Sequence, residues 1–154
     1  DLQGSERVLD LFCGLGNFTL AAATRSREVV GVEVSETMVH RVLQNARHNS
    51  LDNIQAVAFD LTKSIAEQSW AKEPWDTLIV DPPRSGAKEV LEELPLKNIQ
   101  RVLYVSCNPA TLARDAKLLI ERGFKMTHLG MMDMFPHTAH MESMALFVQR
   151  GARG

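Results

Sequence analysis

The sequence has 154 residues, of which 45% are hydrophobic and 23% charged. This composition excludes a disordered or fibrous chain and is sufficient for the core of one domain. Seventeen Lys and Arg residues against nineteen Asp and Glu residues give a net charge of -2, so no basic field marks the chain for nucleic acid or for an anionic membrane.

The apolar runs and the cysteines indicate a soluble protein of a reducing compartment. Runs such as 29–34 and 102–105 have the length of a strand and fall far short of the ~20 residues of a membrane-spanning helix. Two cysteines, Cys13 and Cys107, are too few for a disulfide framework, and no signal peptide precedes them. We therefore expect a cytoplasmic protein without membrane association.

Short β-rich runs alternate with helical patterns, which is typical of a parallel sheet with helical crossovers. The predicted strands are residues 7–12, 28–33, 54–58, 77–80 and 101–106. Ser35 and Asn108 are the predicted N-caps of two amphipathic helices, and Gly123 ends the second of them. Residues 125–132 and 143–149 are two more predicted strands, joined by a segment too short for a crossover helix, so we expect them to pair antiparallel.

The first predicted strand leads into a glycine-containing loop, DLFCGLGN. Ligands of open parallel sheets bind beyond the carboxyl ends of the strands, and Gly14 and Gly16 let the backbone turn tightly there. We expect Asn17 to cap the following helix. Thr19 stands where a dinucleotide fingerprint has its third glycine, so a nucleoside cofactor is favoured over a pyrophosphate. Cys13 is interpreted as a small buried hydrophobic residue.

Acidic residues follow the next two strands. Glu33 has a carboxylate that could accept two hydrogen bonds from a ribose diol; the alternative is a solvated carboxylate ahead of the Ser35 cap. Asp60 stands where an adenine amino group is expected, and the alternative for it is a plain N-cap of a helix that starts near Leu61.

The fourth predicted strand ends in DPPRSG. Two consecutive prolines fix φ and hold an extended turn, which suits the wall of a substrate site. Asp81 is therefore a candidate site residue, with a turn cap as the alternative. Arg84 is a second candidate, with an ordinary surface guanidinium as the alternative.

The fifth predicted strand ends in SCNP, which places the Cys107 thiol just before the N-terminus of a helix. The helix dipole favours a thiolate by ~0.3–1 kcal/mol, less than the ~1.36 kcal/mol that shifts a pKa by one unit. Cys107 needs further activation from its site.

The connection FPHTAHME carries His137, His140 and Glu142. Two further interpretations of these residues are weak. A zinc site lacks its third and fourth ligands, and a cysteine hydrolase lacks an oxyanion loop. We predict no metal.

Four motifs, DLFCGLGNF, DPPRSG, SCNPATLARD and MFPHTAHMES, together resemble the catalytic domain of the RNA uracil-C5 methyltransferases, over nearly the whole chain. The last motif is most similar to the 23S ribosomal RNA branch, which makes 5-methyluridine; the tRNA branch is the nearest competitor. The resemblance implies a class I methyltransferase fold, with a mostly parallel seven-stranded sheet in the order 3-2-1-4-5-7-6 and a terminal antiparallel hairpin.

The resemblance also assigns site residues. It implies that S-adenosylmethionine is bound or surrounded by Phe12, Asn17, Glu33, Asp60 and Asp81. It implies that Cys107 is the nucleophile and that Glu142 removes the C5 proton. The glycine loop adds Gly14 and Gly16 to the predicted cofactor-binding residues.

Residues 1–154 are then a single catalytic domain, expected to be the C-terminal fragment of a longer protein. Family members carry an OB-like RNA-binding domain, a central insertion and, in the ribosomal branch, an iron-sulfur cluster, all expected only in a missing N-terminal part. The ribosomal RNA would be bound through the full-length protein, and no protein partner is expected.

The predicted reaction is methyl transfer from S-adenosylmethionine to uracil C5 through a Cys107 adduct at C6. A thiolate at C6 makes C5 nucleophilic, and a carboxylate then removes the C5 proton. Two alternatives remain: a noncatalytic RNA-binding or cofactor-binding module, and an N-methyltransferase that uses the DPP turn, with Cys107 merely structural.

Overall fold

The computed structural model describes residues 4–133 and 141–151. Seven strands form one sheet, and they lie at β1 Arg7–Leu11, β2 Glu28–Glu33, β3 Ile54–Ala58, β4 Thr77–Val80, β5 Arg101–Ser106, β6 Phe124–Asp133 and β7 Met141–Gln149. The predicted strands are all present. β1 is one residue shorter than predicted because Phe12 leaves it with φ 60°, and β6 and β7 extend one or two residues further than predicted.

The strands lie in the order β3-β2-β1-β4-β5-β7-β6, which confirms the order implied by the resemblance. β1 to β5 pair parallel, whereas β7 pairs antiparallel with both β5 and β6. The order in which strands are added to the sheet reverses at β1: β2 and β3 lie on one side of it, and β4 and β5 lie on the other. Ligand sites of open α/β sheets form at such a switch point, beyond the carboxyl ends of the strands.

Four α-helices connect the strands: α1 Asn17–Ala23, α2 Glu36–His48, α3 Lys88–Glu93 and α4 Pro109–Glu121. Two of the predicted caps are confirmed, because the Ser35 side chain accepts a hydrogen bond from Met38 N and the Asn108 side chain accepts one from Ala110 N. Gly123 follows α4 with φ 98°, a conformation that glycine adopts without strain.

Two predictions about helix starts are wrong. The N-cap of α1 is Gly16, and Asn17 is the first residue inside the helix with no capping role. No helix starts near Leu61, because residues 60–63 form a single turn in which Lys63 N donates to Asp60 O. The short helix α3 and a 3₁₀ turn at Ser69–Lys72 were not predicted, since neither has the repeated apolar spacing that marks a longer helix.

The apolar core lies on both faces of the sheet. One cluster, which includes Leu9, Leu78, Tyr104 and Phe147, packs under α3, α4 and the segment with the two tryptophans. A smaller cluster around Val8, Val29 and Ile79 packs under α1. The sheet is thus fixed from both sides, and the ends of its strands are held in place. Among the residues described, none of the helices has the length and apolar character needed to cross a bilayer.

Candidate active site

A pocket of about 310 Å³ opens at the carboxyl ends of β1 to β4. It is lined by Phe12, Glu33, Val34, Phe59, Asp60, Leu61, Thr62, Asp81 and Pro83. Four of the predicted cofactor residues therefore meet in one place. The walls are mainly apolar with a few carboxylates, which is the usual character of a site for a small molecule.

The glycine loop between β1 and α1 lies beside this pocket. Gly14 and Gly16 have φ 56° and 87°, in the left-handed region that glycine favours. A Cβ at Gly16 would lie 2.9 Å from a methyl group of Val42, whereas a Cβ at Gly14 would meet nothing within 4 Å. The loop therefore packs directly on α2 at Gly16, and at Gly14 its surface is open.

This difference predicts unequal effects for two alanine substitutions. Gly16→Ala combines left-handed strain with a steric clash and should lower the free energy of unfolding by ~2–4 kcal/mol. Gly14→Ala is the matched control because it adds strain alone, ~1–2 kcal/mol. Urea denaturation of both variants measures the difference. Equal losses would show that the contact between Gly16 and Val42 contributes nothing.

Cys13, interpreted from the sequence as a small buried residue, is half-buried. Burial and the charges of Asp10 and Glu33 raise the pKa of its thiol to about 12. Cys13 is consequently a protonated packing residue at neutral pH. Cys107, by contrast, is an exposed side chain.

Glu33 stands at the end of β2 and lines the pocket. Its Oε2 accepts a hydrogen bond of 2.7 Å from the backbone N–H of Ser35. This contact holds the side chain in place ahead of α2. The other oxygen accepts no hydrogen bond from the described residues and can receive one from a ligand.

Asp60 is held by the turn that follows β3. Its Oδ1 accepts hydrogen bonds from the backbone N–H of Thr62, 2.9 Å away, and from the Thr62 hydroxyl, 2.7 Å away. These bonds hold the pKa of Asp60 below its ordinary value. Asp60 thus stabilises a turn and not a helix, and the same turn forms a wall of the pocket.

Asp10 and Asp81 are two carboxyl groups near the centre of the sheet: Asp10 lies fully buried within β1, and Asp81 is half-buried directly after β4. Asp10 is fully buried and accepts a hydrogen bond of 2.6 Å from the Thr19 hydroxyl, while its Oδ1 has no partner among the described residues. Burial, with a smaller contribution from the charge of Asp81, raises the pKa of Asp10 to about 7 despite the Thr19 bond. Thr19, in place of a third glycine, therefore ties α1 to β1.

Asp81 lines the pocket and also lies near Glu142 in β7. Burial, followed by the charge of Glu142, raises its pKa to about 6. The two carboxylates are therefore near neighbours, although 61 positions separate them in the sequence. The Oε2 of Glu142 is buried and has no hydrogen-bond partner in the described part of the chain.

Cys107 follows the last residue of β5 and precedes the cap of α4. The Ser106 hydroxyl accepts a hydrogen bond from Asn108 N and donates one to Asn108 O. These two bonds hold the turn that contains Cys107. Ser106 pairs with Ser143 in β7. Cys107 and Glu142 are the next residues beyond this pair, so both lie at the same end of the β5–β7 ladder.

The DPPRSG turn is held by α4. Asn108 Nδ2 donates to Arg84 O at 3.0 Å, Arg114 Nη2 donates to Ser85 O at 2.8 Å, and Asp115 accepts from Ala87 N at 2.8 Å. Arg114 and Asp115, which lie within SCNPATLARD, were not predicted from the sequence. Asp115 could have been recognised from the sequence, because an Asp in the apolar stripe of a helix needs a buried hydrogen-bond partner.

His137 and His140 lie outside the described residues. Within residues 4–133 and 141–151, no three His, Cys, Asp or Glu side chains are grouped so that they could hold a metal ion.

Comparison with known proteins identifies the family. The profile of the tRNA (uracil-5-)-methyltransferase family matches residues 2–150. The chain belongs to this family. The 23S rRNA (uracil(1939)-C(5))-methyltransferase RlmD of Xanthomonas axonopodis pv. citri is 57% identical over 151 residues, 97% of this chain and 34% of the relative. RlmD of Alcanivorax borkumensis is 52% identical over 147 residues, 96% of this chain and 33% of the relative.

Solved structures agree with this family. The tRNA (uracil-54, C5)-methyltransferase of Pyrococcus abyssi in complex with S-adenosyl-L-homocysteine is 34% identical, with a TM-score of 0.77 over 96% of this chain and 35% of that chain. Magnesium protoporphyrin IX methyltransferase of Synechocystis, at 17% identity and TM-score 0.74, shares the class I methyltransferase fold alone. The chain thus spans about a third of the length of the curated family members that it matches.

Proposed function

We propose that the chain is the catalytic domain of an S-adenosylmethionine-dependent methyltransferase that modifies C5 of a uridine in 23S ribosomal RNA. The observation that carries this proposal is the position of Asp81, which lines the apolar pocket and lies near Glu142 of β7; Cys107 directly follows the neighbouring strand β5, next to the Ser106–Ser143 pair. The choice of ribosomal RNA rests on the RlmD relatives, which are 52–57% identical, against 34% for the tRNA enzyme.

The pocket residues fit S-adenosylmethionine, which supplies an electrophilic methyl group when it is bound. Phe12 and Phe59 offer apolar walls for an adenine ring, and the free oxygen of Glu33 suits a ribose hydroxyl. Asp81 at the other side suits a cationic sulfonium or an amino group. Gly14, Gly16 and Asn17 would surround the amino-acid end through their backbone groups.

Cys107 would act as the nucleophile. Its thiolate forms a bond to uracil C6, and the electrons of the C5–C6 double bond move onto the ring as an enolate. C5 then takes the methyl group as the methyl–sulfur bond breaks, and S-adenosylhomocysteine leaves. The exposed position of Cys107 admits a base that has been flipped out of its stack.

Glu142 would complete the reaction. It takes the proton from C5, the C5–C6 double bond re-forms, and the Cys107 sulfur leaves as a thiolate. Its unpartnered Oε2 is a free acceptor for that proton. Asp81 lies near Glu142, and the charge of Glu142 contributes, after burial, to raising the pKa of Asp81 to about 6.

Calorimetry tests the cofactor half of the proposal. The protein should bind S-adenosylhomocysteine, and Glu33→Gln should raise the Kd by about tenfold, because one hydrogen bond from a ribose hydroxyl to a charged acceptor is lost. Glu36→Gln is the matched control, since Glu36 is exposed at the start of α2. Undetectable binding to the wild-type protein would leave only a noncatalytic module. An unchanged Kd for Glu33→Gln would remove the ribose assignment alone.

Identification of the substrate requires the full-length protein, because we propose that this chain is the C-terminal part of a longer enzyme. Transcripts of 23S ribosomal RNA and of tRNA should be compared as acceptors of labelled methyl groups. Methylation of tRNA alone would move the protein to the tRNA branch.

A further inference from the structure

Asp115 is a fully buried carboxylate in the second turn of α4. Its Oδ2 accepts hydrogen bonds from the Tyr104 hydroxyl at 2.5 Å and from Ala87 N at 2.8 Å. Its Oδ1 accepts from Arg114 Nε at 3.1 Å. One side chain therefore joins β5, α4 and the end of the segment that follows β4.

The segment that Asp115 holds includes part of the pocket wall. Residues 81–87 run from Asp81 and Pro83, which line the pocket, to Ala87, which donates to Asp115. Gly86 has φ 82°, and a Cβ there would lie 2.7 Å from Asp115 Oδ2 and 2.5 Å from Arg114 Nη2. The segment is therefore packed against α4 with no room for a side chain at this point.

The same helix carries the nucleophile of the proposed reaction at its start. Cys107 and Asn108 directly precede α4, and Asn108 donates to Arg84 O in the same segment. Because α4 is one rigid element, a group that fixes the segment to the helix also fixes Asp81 relative to Cys107.

We propose that Asp115 is a positioning residue, which sets the distance between the pocket wall at Asp81 and the thiol of Cys107. This proposal rests on the proposed function, in which the pocket binds the cofactor. It gives a role in cofactor binding to Asp115, whose side chain does not line the pocket. A carboxylate is required there. An amide has one acceptor atom, so its NH₂ group would face either Arg114 Nε or the donors on the other side.

Asp115→Asn is the main test, with the affinity for S-adenosylhomocysteine as the readout. The variant should remain folded by circular dichroism, exchange the Ala87 amide hydrogen at least about tenfold faster, and bind S-adenosylhomocysteine about tenfold more weakly. Glu121→Gln is the matched control, because Glu121 is an exposed carboxylate at the end of the same helix. Its Kd should stay within twofold of the wild-type value.

Tyr104→Phe provides a milder variant if Asp115→Asn does not fold. It removes one hydroxyl donor and leaves the Ala87 bond, so the Kd should rise by about two- to tenfold. A merely structural Asp115 would lower the denaturation midpoint of either variant and leave the Kd of the folded protein within twofold, which would overturn the proposal. Failure of the wild-type protein to bind would instead overturn the proposed function, and this proposal with it.

Discussion

Cys107→Ala is expected to abolish every covalent adduct with RNA that contains 5-fluorouridine. In the proposed reaction the thiolate adds to C6 and the methyl group arrives at C5, but fluorine cannot leave C5 as a proton does. The adduct therefore persists in the wild-type protein and should migrate as a denaturant-resistant band. Methyl transfer to ordinary uridine should fall by at least about 10³-fold, because loss of a covalent nucleophile has cost on the order of 10⁶-fold where measured.

Cys13→Ala is the matched control for this experiment. It makes the same chemical change in a half-buried thiol whose pKa of about 12 keeps it protonated. The adduct should form with this variant as it does with the wild-type protein. Retention of the adduct in Cys107→Ala would disprove the assignment of the nucleophile. Methylation at a nitrogen would survive the same substitution and would indicate an N-methyltransferase.

Glu142→Gln should have the opposite effect on ordinary, unfluorinated uridine. Addition of Cys107 and methyl transfer do not need this carboxylate, whereas release of the product needs a base. We expect a stalled protein–RNA complex that carries the label of the methyl group and turns over ~10²–10⁴-fold more slowly. Gel electrophoresis under denaturing conditions detects this complex, and Cys107→Ala added to the same chain should remove it.

Glu67→Gln is the corresponding control, since Glu67 is an exposed glutamate far along the chain from Glu142. It should turn over at the wild-type rate and change the free energy of unfolding by no more than about 0.5 kcal/mol. Turnover of Glu142→Gln at that same rate, without a trapped species, would mean that another group takes the C5 proton.

The regular part of the fold was predictable from the sequence. Runs such as EVVGVE and RVLYVS have the length and the β-branched residues typical of buried strands, and Ser35 and Asn108 mark helix starts through an ordinary side-chain cap. The strand order was not contained in these runs. It came from the resemblance, because the spacing of elements does not state which strands are neighbours.

The site was predictable where a residue acts alone and unpredictable where it acts through a partner. Glu33 and Asp81 could be selected because each stands directly after a strand. The approach of Glu142 to Asp81 and the three bonds of Asp115 depend on how β7 and α4 pack, which no local pattern specifies. Asn17 was misassigned as a cap because a left-handed glycine can begin a helix without any side-chain oxygen.

The position of β7 has a consequence for how the molecule is made. β7 comes after β6 in the chain but lies between β5 and β6 in the sheet. During synthesis β5 therefore keeps an unpaired edge, and β6 has no neighbour, until residues 141–149 arrive. Cys107 is synthesised before Glu142, so in the proposed reaction a growing chain has its nucleophile before it has its base. Insertion of β7 would then complete the sheet and this proposed pair of residues together, late in folding.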